Sequence, residues 1–248
     1  MMRPNDLKNR FMKASSHRDL FQDVFDDCYE LALPRRMTMS DKTPGQRRDE
    51  RIFDETAVTG VQEFASKLQS GMIPAFSQWA DLRAGQEVPE DMRDEVNRLL
   101  VPVSRYMFEL FNASNFTSQA HESFLDLSIG TGCLLMEETQ DRQKPFTFTA
   151  IGLPYYVIDT GPSGEIDAIF RERKLRNCDV MTEYPQGVYA YNNGEQVVEL
   201  IDAVVRDRSQ NGHVYHRTVM VKEDCRIVYM EQYKGEGSNP YILFRWSK

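Results

Sequence analysis

His213 and His216 stand three residues apart in "HVYHRTVMV". On a helix that spacing could hold a metal. This segment alternates like a strand, where residues three apart point to opposite faces, so the two rings do not converge. Glu137 and Glu138 are adjacent carboxylates at a strand end and fail as a paired acid and base for the same reason. His17 and His121 are isolated, and no nucleophile motif accompanies them. The four cysteines, Cys28, Cys133, Cys178 and Cys225, lie far apart and form no CxxC pair, which excludes a zinc finger or ribbon. They read as small reduced core residues, favouring an intracellular place of folding. No catalytic residue, metal ligand or cofactor is assigned.

The stretch "DLSIGTGCLLMEE", from Asp126, carries two glycines around a threonine, a pattern that often cradles phosphate. A phosphate loop follows a strand and opens a helix, because the helix N-terminus supplies free N–H groups and a positive dipole. Here the order reads helix, glycines, strand. A phosphate at Gly130 would meet helix carbonyls instead. No Walker lysine follows. Gly130 and Gly132 are therefore read as structural, letting the chain turn from a helix into a central strand.

Two features could recognise a partner. The stretch "RRMTMSDKTPGQRRDER" carries Arg35, Arg36, Lys42, Arg47, Arg48 and Arg51 against Asp41, Asp49 and Glu50, a candidate contact for DNA or another subunit. Salt-bridged or solvated use is favoured, since only a net excess of cations releases counterions from DNA. Trp79, in "PAFSQWADL", is a candidate interface anchor or a residue folded back on its own domain.

The elements that must position these residues fall into two halves. Leu7, Phe11, Phe21, Val24, Phe25, Cys28 and Leu31 recur at helical spacing, and Pro34 ends the segment. A second helix, Ile52 to Ser70, carries the stripe Phe53, Ala57, Val61, Phe64, Ala65 and Leu68, with Gly71 where a left-handed cap belongs. A third starts near Pro89 with the stripe Met92, Val96, Leu99, Val103, Met107 and Leu110; Pro102 should kink or split it. A fourth runs from about Phe116 to Leu127, capped by Ser114 or Asn115. After Gly132 come eight short segments rich in β-branched and aromatic residues, separated by turns such as "TGPSG" and "KGEGSNP". The expected fold is α+β: three to five N-terminal helices over residues 1–131, then a mainly antiparallel β-rich part over 132–248.

With 41% hydrophobic and 27% charged residues, the composition is that of a folded protein. The net charge of −8 opposes general nucleic-acid binding. No run approaches the roughly 20 apolar residues that span a bilayer, and no signal core opens the chain, so no membrane partner is expected.

"IFDETAVTGVQEFASKLQSGMIPAFSQWADL" resembles the N-terminal signature of the portal, or head-to-tail connector, proteins of short-tailed, T7-like bacteriophages. The likeness rests on Phe53-Asp54, the Leu68-Gln69-Ser70-Gly71 helix end, Pro74 and Trp79. "SNFTSQAHESFLDLSIGTGCLLMEE" and the hairpin "YYVIDTGPSGEIDAIFRERKL" are similar to the segments that follow in that family. The resemblance implies the peripheral wing of a portal, with stem, clip and crown regions absent, as in a truncated chain or a broken prophage gene. It implies no enzyme but a structural subunit of a ring, usually of twelve copies. Double-stranded DNA would pass through the ring, without sequence-specific binding, during packaging and ejection. Terminase, capsid, scaffold and tail adaptor proteins are the implied partners. The implied place is the portal vertex of a virion, with synthesis in the bacterial host cytoplasm. Two other classes stay open: an intracellular adaptor using the Trp79 loop, and an enzyme whose site is assembled from scattered residues.

Overall fold

The computed structural model describes residues 2–36, 52–162, 164–185, 194–209 and 212–245. Among them are six helices: α1 (Pro4–Asp19), α2 (Gln22–Ala32), α3 (Thr56–Met72), α4 (Glu90–Ala113), α5 (Phe116–Leu127) and α6 (Asn177–Glu183). The strands are β1 (Thr131–Glu138), β2 (Phe146–Ala150), β3 (Tyr156–Thr160), β4 (Ile166–Arg176), β5 (Val197–Arg206), β6 (Val214–Val221), β7 (Ile227–Lys234) and β8 (Tyr241–Arg245). The fold is α+β, and each of the eight expected strand segments contributes one strand. The compact units cut across the division at residue 131. One takes the two N-terminal helices and Gly152–Tyr241; the other takes Ile52–Ile151 and the segment that begins at Ile242 and holds most of β8.

In the first unit the strands form one sheet in the order β3-β4-β5-β6-β7, antiparallel throughout. Helices cover both of its faces, which is why β5 reads as a nearly unbroken apolar run. Leu7, Phe11 and Ala14 of α1 pack on Val157, Phe170, Ile201 and Ala203. The Phe11 and Phe170 rings lie 5.9 Å apart. On the opposite face Val180 of α6 and Tyr184 pack on Val198, Leu200, Val219 and Val221. The single helix expected from Leu7 to Leu31 is two. One turn beyond the buried stripe of α1, which ends at Ala14, half-buried Arg18 donates to the carbonyls of Pro154 at 3.0 Å and Tyr156 at 3.4 Å. The amide of Phe21 then bonds back only three residues, to Arg18, which breaks the α-helical ladder.

In the second unit a three-stranded sheet, β2-β1-β8, packs with α5. The edge of β2 is closed by amide side chains. Asn115 donates to the Phe148 carbonyl at 2.7 Å and accepts from its N–H at 2.8 Å, and Gln119 accepts from Ala150 N–H at 2.8 Å. The N-cap residue Asn115 thus serves the sheet, and the hydroxyl of Ser114 caps the helix by accepting from Phe116 N–H.

The helices depart from expectation at Gly71 and in the stripes of α3 and α4, and Pro102 lies inside one continuous helix. Gly71 lies inside α3 with no left-handed backbone; Pro74 ends the helix by forcing Ile73 out of the helical region. Pro102 does not split α4, which is held on either side of it: Asn97 accepts from Ala84 N–H at 2.8 Å and Ser104 from Leu82 N–H at 3.0 Å. The α4 stripe is only partly covered: Val96, Met107 and Leu110 are half-buried, while Met92, Leu99 and Val103 are exposed. The buried face carries Ser104 and Phe108, while Leu99 is 67% exposed. On α3 only Ala65 of the expected stripe is fully buried, and Phe53, before the helix, is 95% exposed. Polar residues on the inward face of α4, Asn97 and Ser104, each with a backbone partner, turn the helix part-way from the facing that periodicity alone suggests.

Candidate functional site

The glycines of "GTG" sit in the expected order, after a helix and into a strand. The turn is Ser128–Gly130, closed by the N–H groups of Ile129 and Gly130 on the Asp126 carbonyl, each at 3.0 Å. Neither Gly130 nor Gly132 has a positive φ. Gly132 lies within β1, and the reason for it is space: a Cβ there would fall 2.1 Å from the ring of Phe244 on β8. That ring also meets Phe124 of α5 edge-on at 5.8 Å. The turn follows the C-terminus of α5 and leads into β1, so no helix opens at these glycines.

Trp79 belongs to an aromatic cluster. Its ring meets Phe108 edge-on at 5.1 Å and stacks near Phe116 at 6.1 Å, with Phe111 and Phe148 completing the group. It is still 38% exposed. Of the basic residues, Arg35 is exposed and Arg36 half-buried; Lys42, Arg47, Arg48 and Arg51 lie outside the described residues.

Periodicity did not reveal a buried ionic cluster on the α6 face of the large sheet. The register opposes Asp202 to Val219 and Arg217 to Val204, so both side chains reach the same face from neighbouring strands. Arg217 grips Asp202 with two nitrogens, at 3.1 Å and 2.7 Å, and the hydroxyl of Tyr241 donates to Asp202 at 2.7 Å. Asp202 is wholly buried. Burial opposes the charge of Arg217, but the Asp202 carboxylate outweighs it and holds the guanidinium above its ordinary range. Burial, then the same carboxylate, pushes the Tyr241 phenol well up. Nearby, the hydroxyls of Tyr229 and Tyr233 both donate to Glu231. Burial and that carboxylate push Tyr229 up to about 12. A general acid or base works best with a pKa near the operating pH. These shifts lead the other way, as suits a cluster that holds fixed charge. The sequence signal was there: an Asp and an Arg at inward positions of two apolar strands.

At the other side of this unit a cleft of about 370 Å³ is lined by Arg10, Asp167, Arg208 and His216 among others. Its cations are matched. Arg208 meets Asp167 at 2.9 Å, Arg10 bonds Asp159 and Asp167, and His216 lies 3.1 Å from Asp207. Such a cleft has little net field to attract an anion. Among the described residues no group of three or more His, Cys, Asp or Glu could hold a metal. Among them, too, no helix is long and apolar enough to cross a membrane.

The family model described as "Bacteriophage head to tail connecting protein" matches residues 4–248. The "Probable portal protein" of Bordetella phage BPP-1 is 22% identical over 182 residues, covering 72% of this chain and 32% of that protein. The chain thus spans about a third of the length of that relative.

Proposed function

Because the chain belongs to the bacteriophage head to tail connecting protein family, we propose that it forms part of a portal ring at the junction of head and tail. The family match over almost its whole length is the observation that carries this reading. In it the chain is a structural subunit of the wing kind. Identical copies close into a ring through two different faces on each subunit, twelve copies being the expected number. Double-stranded DNA passes through the ring during packaging and ejection. Terminase, capsid, scaffold and tail adaptor proteins meet the ring at the portal vertex of a short-tailed virion, and synthesis takes place in the host cytoplasm. The acidic balance suits a conduit, since a tunnel making many phosphate contacts would grip DNA and release it only at high salt. Negative-stain imaging and mass measurement of the purified protein test the reading. Closed rings with a central channel are expected. A stable one-to-one complex with a different protein, without self-association, would overturn it in favour of an adaptor.

A further inference from the structure

Phe76 combines a strained backbone with an exposed ring. Its φ is +60°, the left-handed region that a bulky side chain rarely adopts. It stands third in a turn whose Pro74 carbonyl accepts from Ser77 N–H at 3.4 Å, a position where a positive φ favours glycine or asparagine. The ring is 85% exposed and meets no other ring among the described residues. Strain of this kind clusters at clamps and other functional sites, where the surrounding structure enforces it. The loop is held on both sides of Phe76. The hydroxyl of Ser77 donates to the Pro74 carbonyl at 3.0 Å, and Trp79 packs on Phe108. An aromatic side chain presented from an ordered loop loses little freedom on contact.

The charge-balanced cleft of the large-sheet unit has the chemistry to seat such a ring. Leu7 and Val205, both buried, and Met2 give it apolar lining. Its volume, about 370 Å³, falls among pockets that take organic groups, ~300–1,000 Å³. Arg10 and Arg208 line it with their charges met by Asp159 and Asp167. Guanidinium groups fixed in this way stack well on an aromatic face. From Leu68 to Ala80 the chain carries no charged residue. An uncharged loop entering a cleft whose ions are already paired strands no charge away from water.

We propose that Phe76 of one copy seats its ring in this cleft on the next. The anchor and the cleft are different surfaces, so each copy offers one to either neighbour, as a closed ring needs. A single aromatic in a desolvated pocket supplies a large share of the affinity of many interfaces. This inference rests on the ring reading and names one of its contacts.

Two measurements test it. Phe76→Asn installs a residue that tolerates left-handed backbone and removes the ring. Self-association in sedimentation velocity should weaken about tenfold or more, while thermal melting of the dilute, unassociated chain should not fall. A fall in melting shows that the ring packs within its own chain and overturns the proposal. In the second measurement p-benzoylphenylalanine replaces Phe76, and isotopically heavy and light copies are mixed before irradiation. Mass spectrometry should find links between copies at Met2, Leu7 or Val205. Links confined to one copy, or reaching another surface of the second copy, overturn the assignment. Association of Phe76→Asn at wild-type strength overturns this contact and leaves the ring reading standing. Absence of association in every arm, wild type included, also overturns the contact, and the imaging experiment then judges the ring separately.

Discussion

Asp202→Asn removes a buried negative charge and almost nothing else. Asp202 is wholly buried and accepts from two nitrogens of Arg217 and from the hydroxyl of Tyr241. Arg217 is itself 5% exposed, so it cannot turn to water for a substitute. Breaking such a pair from one side costs about 3–5 kcal/mol, because the remaining charge stays in a poor solvent. Against a typical total of about 5–15 kcal/mol this is a large loss. Urea unfolding followed by circular dichroism reads it directly. With a slope of about 2 kcal/mol/M, the midpoint should fall by about 1.5–2.5 M. Tyr241→Phe removes only one bond to a charged acceptor and should cost about 1.5–3 kcal/mol. Replacing both charges together, Asp202→Leu with Arg217→Met, should cost less than the single change, since no buried charge is stranded. A loss below about 1 kcal/mol for Asp202→Asn, or a double variant weaker than the single, would refute the account of this cluster as a charge clamp.

Gly132→Ala should lower stability by about 1–3 kcal/mol through overpacking on Phe244, and Phe244→Leu in the same chain should restore part of it, read by thermal melting. Asn115→Ala strips the Phe148 N–H and carbonyl of their partners and should cost about 1–3 kcal/mol; faster aggregation on heating, seen by light scattering, should accompany the opened edge. The tyrosines of the ionic cluster have pKa values raised on folding, so their stabilising effect is full below the unfolded value near 10 and fades as pH rises above it. Alkaline unfolding should therefore set in between about pH 10 and 12, and Tyr241→Phe should make the titration shallower.

The strands were legible because turns and β-branched runs mark them locally. The hairpin turn after Asp159 appears as the antiparallel pairing of β3 with β4. What escaped was non-local or masked by composition. The pairing of β8 with β1 joins segments about a hundred residues apart, and no local pattern announces it. The short helix α6 is built from "NCDVMTE", mostly poor helix formers, and packing of Val180 sustains it. The facing of α4 was only partly legible, because Asn97 and Ser104 look like solvent-side residues until their backbone partners in the preceding segment are known.

The nesting of one unit within the other sets a timetable for synthesis. Residues Ile52–Ile151 emerge together and hold all of their unit except the strand from Ile242. The N-terminal helix α1 has no such neighbours. Phe11 must wait for Phe170, roughly 160 residues later, which at about 5–20 residues per second is on the order of ten to thirty seconds on the ribosome. Through that interval Leu7, Phe11 and Ala14 form an uncovered apolar stripe on the nascent chain, open to holdase chaperones until the large sheet arrives to cover it.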